Sequence, residues 1–138
     1  MNITRHIRFA SFLVLLGAVF ASCGDDGDEP VGPDPSGPIT FAADIQPIFT
    51  ARCAVSGCHV NPGPSANLNL SAGVAYTNIV NVPTEVFTPG VRVTPFSPDS
   101  SVLYLLVEDG LMPARGSRLT SKQLAGIKTW IEEGALDN

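Results

Sequence analysis

Cys53-Ala54-Val55-Ser56-Gly57-Cys58-His59 sets two thiols and an imidazole close together in the chain. Each thiol can add to a vinyl group of a haem, and a histidine directly after the second cysteine is then held under the iron, where a ring nitrogen can become a ligand. The cysteines would tether and the histidine would coordinate. In the common form of this attachment motif two residues separate the cysteines. Here four do, so the segment must bulge or loop to bring both sulfurs to one macrocycle, and Ser56 and Gly57 are residue types that bend this way.

A disulfide between Cys53 and Cys58 would also close a small loop in an oxidising compartment. It gives no reason for the adjacent imidazole. Zinc would require a fourth ligand that the chain does not obviously offer. Beyond the first 22 residues the sequence holds one histidine, His59, and one methionine, Met112. A pair of histidine ligands from one chain is therefore excluded, which leaves Met112, a weaker donor such as lysine, or an open sixth position. A lone methionine is often a gap-filler in a core. Met112, however, stands in Gly110-Leu111-Met112-Pro113, a loop feeding the last expected helix, and a thioether ligand raises the reduction potential and suits electron transfer.

The elements that must position these groups are short. From Thr40 to Cys53 the apolar residues Phe41, Ile45, Ile48 and Phe49 recur at helical spacing, with Asp44 as the expected cap and Pro47 in the first turn. Ser71 begins a second expected helix that ends near Val80. Residues 81–98 contain Pro83, Pro89, Pro95 and Pro98 and read as a long ordered loop, uncommon unless it serves a function such as holding a cofactor. Ser97 or Asp99 is expected to cap a third helix that stops before Gly110. The last helix is expected over Ser121–Glu133, from a capping box of Thr120 and Gln123 to a stop at Gly134. No alternating strand pattern of useful length appears. The expected fold is thus mainly α, about four short helices with long irregular loops, and so few helices bury little surface unless an apolar group sits among them.

The 138 residues carry a net charge of −5 and divide into three expected parts. Residues 1–22 read as an export signal, with Arg5, His6 and Arg8 ahead of the apolar stretch Phe9 to Phe20. Phe20-Ala21-Ser22-Cys23 resembles the lipobox of bacterial lipoproteins, which implies acylation of Cys23 and a lipid anchor in the membrane. Residues 23–38 then form an acidic, proline- and glycine-rich linker, and 39–138 the domain. The linker's five carboxylates account for most of the acidity: the domain has six Lys or Arg against eight acids, a net of −2. Nucleic-acid binding has no support in an acidic, exported chain.

The attachment motif, the Met-Pro loop and the closing Leu119-Thr120-x-x-x-Leu124-x-x-Ile127-x-x-Trp130-Ile131-x-x-Gly134-Ala135 together resemble bacterial cytochrome c domains of exported proteins, including the planctomycete-type cytochrome c family. The resemblance extends to Phe41-Ala-Ala-Asp-Ile-Gln-Pro-Ile-Phe49, Leu68-Asn69-Leu70 and Pro98-Asp-Ser-Ser-Val-Leu-Tyr104. It implies a monohaem electron-transfer domain with Cys53 and Cys58 bound covalently to one haem c, His59 as proximal and Met112 as distal iron ligand. Phe49, Leu68, Leu70, Leu103 and Trp130 would then serve as core and haem wall at once. Arg52 and Arg92 are expected to be solvated surface charges more than partners of the haem's carboxylates.

The expected function is single-electron transfer between redox protein partners outside the cytoplasm, by a membrane-anchored carrier and not an enzyme. No Ser/His/Asp set, paired-carboxylate motif or phosphate-binding glycine loop is present. The competing readings are a haem-free, disulfide-bonded surface lipoprotein and a five-coordinate haem sensor or oxidoreductase subunit.

Overall fold

Thr40 has the extended backbone that a helix cap requires, and its hydroxyl accepts a hydrogen bond from the Ala43 amide. Asp44 answers it, its carboxylate accepting from the Thr40 amide at 2.7 Å and from the Thr40 hydroxyl at 3.0 Å. The cap is therefore Thr40 and not Asp44 as expected; Asp44 lies within the helical turn and holds the cap in place. These contacts begin the part of the chain that the computed structural model describes, residues 37–138. The expected export signal, the acylated Cys23 and all but the end of the linker lie outside the described residues.

A wide π-helical turn, Phe41–Ile45, leads into α1, Gln46–Arg52, with Pro47 in the first turn where its missing N–H leaves no gap. The second helix, α2, is only Ala75–Ile79, shorter than the sequence suggests. Gly73 at φ +82° breaks the approach, and the Val74 and Ala75 amides both donate to the Ser71 carbonyl to make a turn. A short 3₁₀ turn, Pro98–Ser100, precedes α3, Val102–Glu108. Neither Ser97 nor Asp99 caps α3, because the buried Ser101 hydroxyl donates to the Ser97 carbonyl and receives the Thr94 amide, tying the helix entry to the loop before it. The last helix, α4, spans Ser121–Glu132 with both bonds of the Thr120/Gln123 capping box formed. Gly134 at φ +105° ends it.

The chain is thus mainly helical, with four short α-helices and no strand among the described residues. The long 81–98 connection is ordered by isolated bridges that pair Val80 with Val93, Pro83 with Val91, and Val91 with Ser101. Its backbone groups find partners that way where Arg92 and Val93 are buried. The core gathers Ile45, Ile48 and Phe49 from the first helical segment, Ile79, Val93 and Tyr104 from the middle of the chain, and Ile127, Trp130 and Ile131 from α4. Phe41 sits at its centre, its ring 5.3 Å from Tyr76, 5.4 Å from Trp130 and 6.1 Å from Phe49. The far end of the chain returns here: Asn138 accepts from the Phe41 amide through Oδ1 and from the Ala42 amide through its main-chain oxygen, both at 2.9 Å. No helix of the described residues is long and apolar enough to cross a membrane.

Candidate functional site

α1 delivers the chain to Cys53, whose amide still bonds back to Phe49. The four residues after it do not continue the helix. They fold into a tight loop in which the Cys58 amide donates to Val55 at 3.0 Å and the His59 amide returns to the Cys53 carbonyl at 3.1 Å, with Gly57 at φ +77° at the bend. The long spacer is therefore accommodated as a closed backbone loop, and His59 ends beside Cys53 despite the extra residues. Both cysteines are free thiols. Burial pushes the Cys53 thiol up to about 11, against the opposing pull of the Arg52 guanidinium.

His59 is oriented by the segment that follows. Its Nδ1 lies 3.2 Å from the Ser65 carbonyl oxygen, an acceptor only, so Nδ1 carries the proton and Nε2 keeps its lone pair. The Ser65 amide in turn donates to the Cys58 carbonyl at 2.9 Å, and the Leu70 amide to the His59 carbonyl at 2.8 Å. Main-chain bonds thus fix the backbone on either side of His59, and the ring itself through Nδ1. On the other segment, the Met112 amide donates to Leu106 at 2.9 Å just past α3, after a left-handed turn at Gly110.

Cys53, Cys58, His59 and Met112 all line one cavity of about 560 Å³. Its wall is predominantly apolar, from Phe49, Leu68, Leu70, Leu103, Leu106 and Val107 among others. Of the residues expected to serve as core and wall, Trp130 is the exception: it lies in the core and does not reach the cavity. A cavity of this size and character suits a large apolar ligand held by a few polar groups.

Arginines supply most of the charged groups among its lining residues. Arg52, Arg92 and Arg115 line the cavity, with Glu85 the acid among its residues. Arg92 is only 9% exposed and donates through Nη1 to the Asn78 carbonyl at 2.8 Å and through Nη2 to the Ala66 carbonyl at 3.0 Å. Arg52 is half-buried, binds Ser117 through Nη2, and leaves its buried Nε without a partner. The ion pair found among the described residues, Lys128 with Glu132, involves neither. The expectation of a solvated surface charge is thereby overturned for Arg92, which is buried against the cavity wall; Arg52 lines the same wall and is half-buried. A buried guanidinium without a carboxylate is costly unless an anion reaches it.

The segment Thr84–Phe87 is a part of the wall that no single motif announces. The Thr84 amide donates to the Gly90 carbonyl and the Phe87 amide to the Thr84 hydroxyl, so the loop is pinned at its base. Val86 and Phe87 face the cavity and remain 61% and 49% exposed. The unusual length of the proline-rich connection was the available signal. Among the described residues no three His, Cys, Asp or Glu side chains converge as a metal cage. No protein-family model, no curated protein and no solved structure matches this chain.

Proposed function

We propose that this chain is a monohaem c-type cytochrome that carries single electrons between protein partners outside the cytoplasm, its domain of a cytochrome c-like fold and anchored to a membrane through acylated Cys23. The observation that supports this most is the convergence of Cys53, Cys58, His59 and Met112, from segments distant in sequence, on a single apolar cavity. The donor set fits the group: two thiols to tether it, an imidazole and a thioether for its iron, an apolar wall for its macrocycle, and uncompensated arginines for its carboxylates. Haem iron, when bound, supplies a one-electron couple.

The residues divide the work. Cys53 and Cys58 hold the macrocycle in place covalently. His59 would present Nε2 because the Ser65 carbonyl holds the proton on Nδ1 and fixes the ring's orientation. Met112, on the cavity wall, would supply a thioether as the second protein ligand to the iron, as suits a carrier. Phe49, Leu68, Leu70 and Leu103 exclude water and lower the dielectric around the site.

The test is covalent attachment. The full chain, expressed with a cytochrome c maturation system, should give a band on a denaturing gel that stains for haem peroxidase activity and gains the mass of one haem. Cys53→Ala/Cys58→Ala should give none. If haem-loaded controls stain and the wild-type band does not, the reading is wrong.

A further inference from the structure

The hydrogen bonds between the cysteine-bearing segment and the methionine loop are made by one side chain. Arg52, the last residue of α1 and the neighbour of Cys53, donates through Nη2 to the Ser117 main-chain oxygen and, at 3.0 Å, to the Ser117 hydroxyl. The loop needs such a tie. Among the described residues the backbone from Pro113 to Leu119 makes no hydrogen bond to another backbone group, Ala114 to Arg118 are exposed, and Gly116 bends it at φ +84°. Upstream it is fixed where the Met112 amide meets Leu106, and Arg118 reaches back only to Asp109 beside it. Arg52 and Met112 line the same cavity.

We infer that Arg52 is a positioning residue: its clasp on Ser117 holds the loop against α1 and so keeps Met112 seated as the second iron ligand. The inference rests on the haem reading above. A charge-assisted contact from one nitrogen of a half-buried guanidinium to two acceptors of Ser117 is strong enough for this task, and a point-charge ammonium would replace it only in part. Removing it leaves the helices intact and loosens the loop, so an external ligand can displace Met112 more easily.

The experiment titrates imidazole into the oxidised, haem-loaded chain and follows the near-infrared sulfur-to-iron band, with far-ultraviolet circular dichroism confirming that the helices persist. Arg52→Gln should bind imidazole about tenfold more tightly than wild type, the effect expected of one lost charge-assisted contact. Arg52→Lys should recover part of the difference, and Ser117→Ala, which removes only the hydroxyl acceptor, should shift affinity by about two- to threefold. If Arg52→Gln does not fold, the last two variants decide. A wild-type affinity across the folded variants overturns the role of Arg52 and leaves the haem reading intact. A wild-type protein that carries haem but lacks the band overturns Met112 as ligand, and the role of Arg52 with it.

Discussion

Arg92 donates to the Ala66 carbonyl at 3.0 Å, one residue beyond the Ser65 carbonyl that receives the His59 Nδ1 proton. A single guanidinium therefore braces the turn that orients the imidazole. The turn needs bracing because Ala66 and Asn67 both have left-handed backbones, at φ 54° and 51°, which side-chain-bearing residues adopt at some cost. The Asn67 side chain adds a second strut, donating to Glu85 at 2.8 Å.

Replacing Arg92 by methionine keeps the bulk and leaves two carbonyls without donors. The expected loss is about 2 kcal/mol, read as a lower denaturant midpoint with an unchanged slope, and Arg92→Lys should restore part of it. An unaltered midpoint would show that the turn stands without the brace.

A methyl group at Gly134 would come within 2.7 Å of the Phe96 ring, at a φ of +105° that disfavours any side chain. Gly134→Ala should therefore cost about 1–2 kcal/mol. Phe96 is itself left-handed, at φ 63°, with its ring 73% exposed, so Phe96→Gly gives up little burial and relieves strain. The double variant should be more stable than the sum of the two single changes implies. Strict additivity in a denaturation cycle would rule out the clash.

Burial, and then the hydrogen bond donated to Glu108 at 2.8 Å, push the Tyr104 hydroxyl from 10.0 up to about 12. Above pH 10 the unfolded chain gives up this proton before the folded one does. Between pH 10 and 12 the unfolded state thus binds fewer protons, and stability should fall as pH rises, by at most about 1.4 kcal/mol per pH unit from this group. Below pH 10 the group contributes no slope. The measurement is the difference between wild type and Tyr104→Phe in denaturation at pH 9, 10 and 11. Parallel curves would remove Tyr104 as the cause.

For the haem-loaded chain, Met112→Ala should abolish the near-infrared sulfur-to-iron band and lower the reduction potential, by something on the order of 0.1 V within the wider range that axial ligation spans. Retention of both would exclude Met112 from the iron.

How much of this was legible in the sequence follows from where each signal resides. Helix α4 could be read nearly to the residue because Thr120, Gln123 and Gly134 act through neighbouring backbone groups. The cap of the first helical segment was misplaced by four residues for a related reason: Thr40 and Asp44 are both good caps, and only the backbone angles tell which stands outside the helix. Trp130 was expected among the core residues, yet it could not be separated from the cavity wall, since core and wall share one composition. Arg52 and Arg92 could be named from the sequence, but what they bind could not. Their partners, Ser117 and Ala66, are contacted through main-chain carbonyls, which every residue type has and no sequence pattern marks.

Asn138 bonded to Phe41 and Ala42 brings the end of the chain to within one hydrogen bond of where its first helical segment starts. A short peptide bridge from 138 to the residues just before Phe41 would carry a small loop-closure penalty. The domain is therefore a good subject for circular permutation, with new termini opened in the exposed stretch Ala114–Arg118. Such a rearranged chain would keep the core elements while opening the loop that joins Met112 to α4, separating in a single molecule what the fold requires from what its ligand sphere requires.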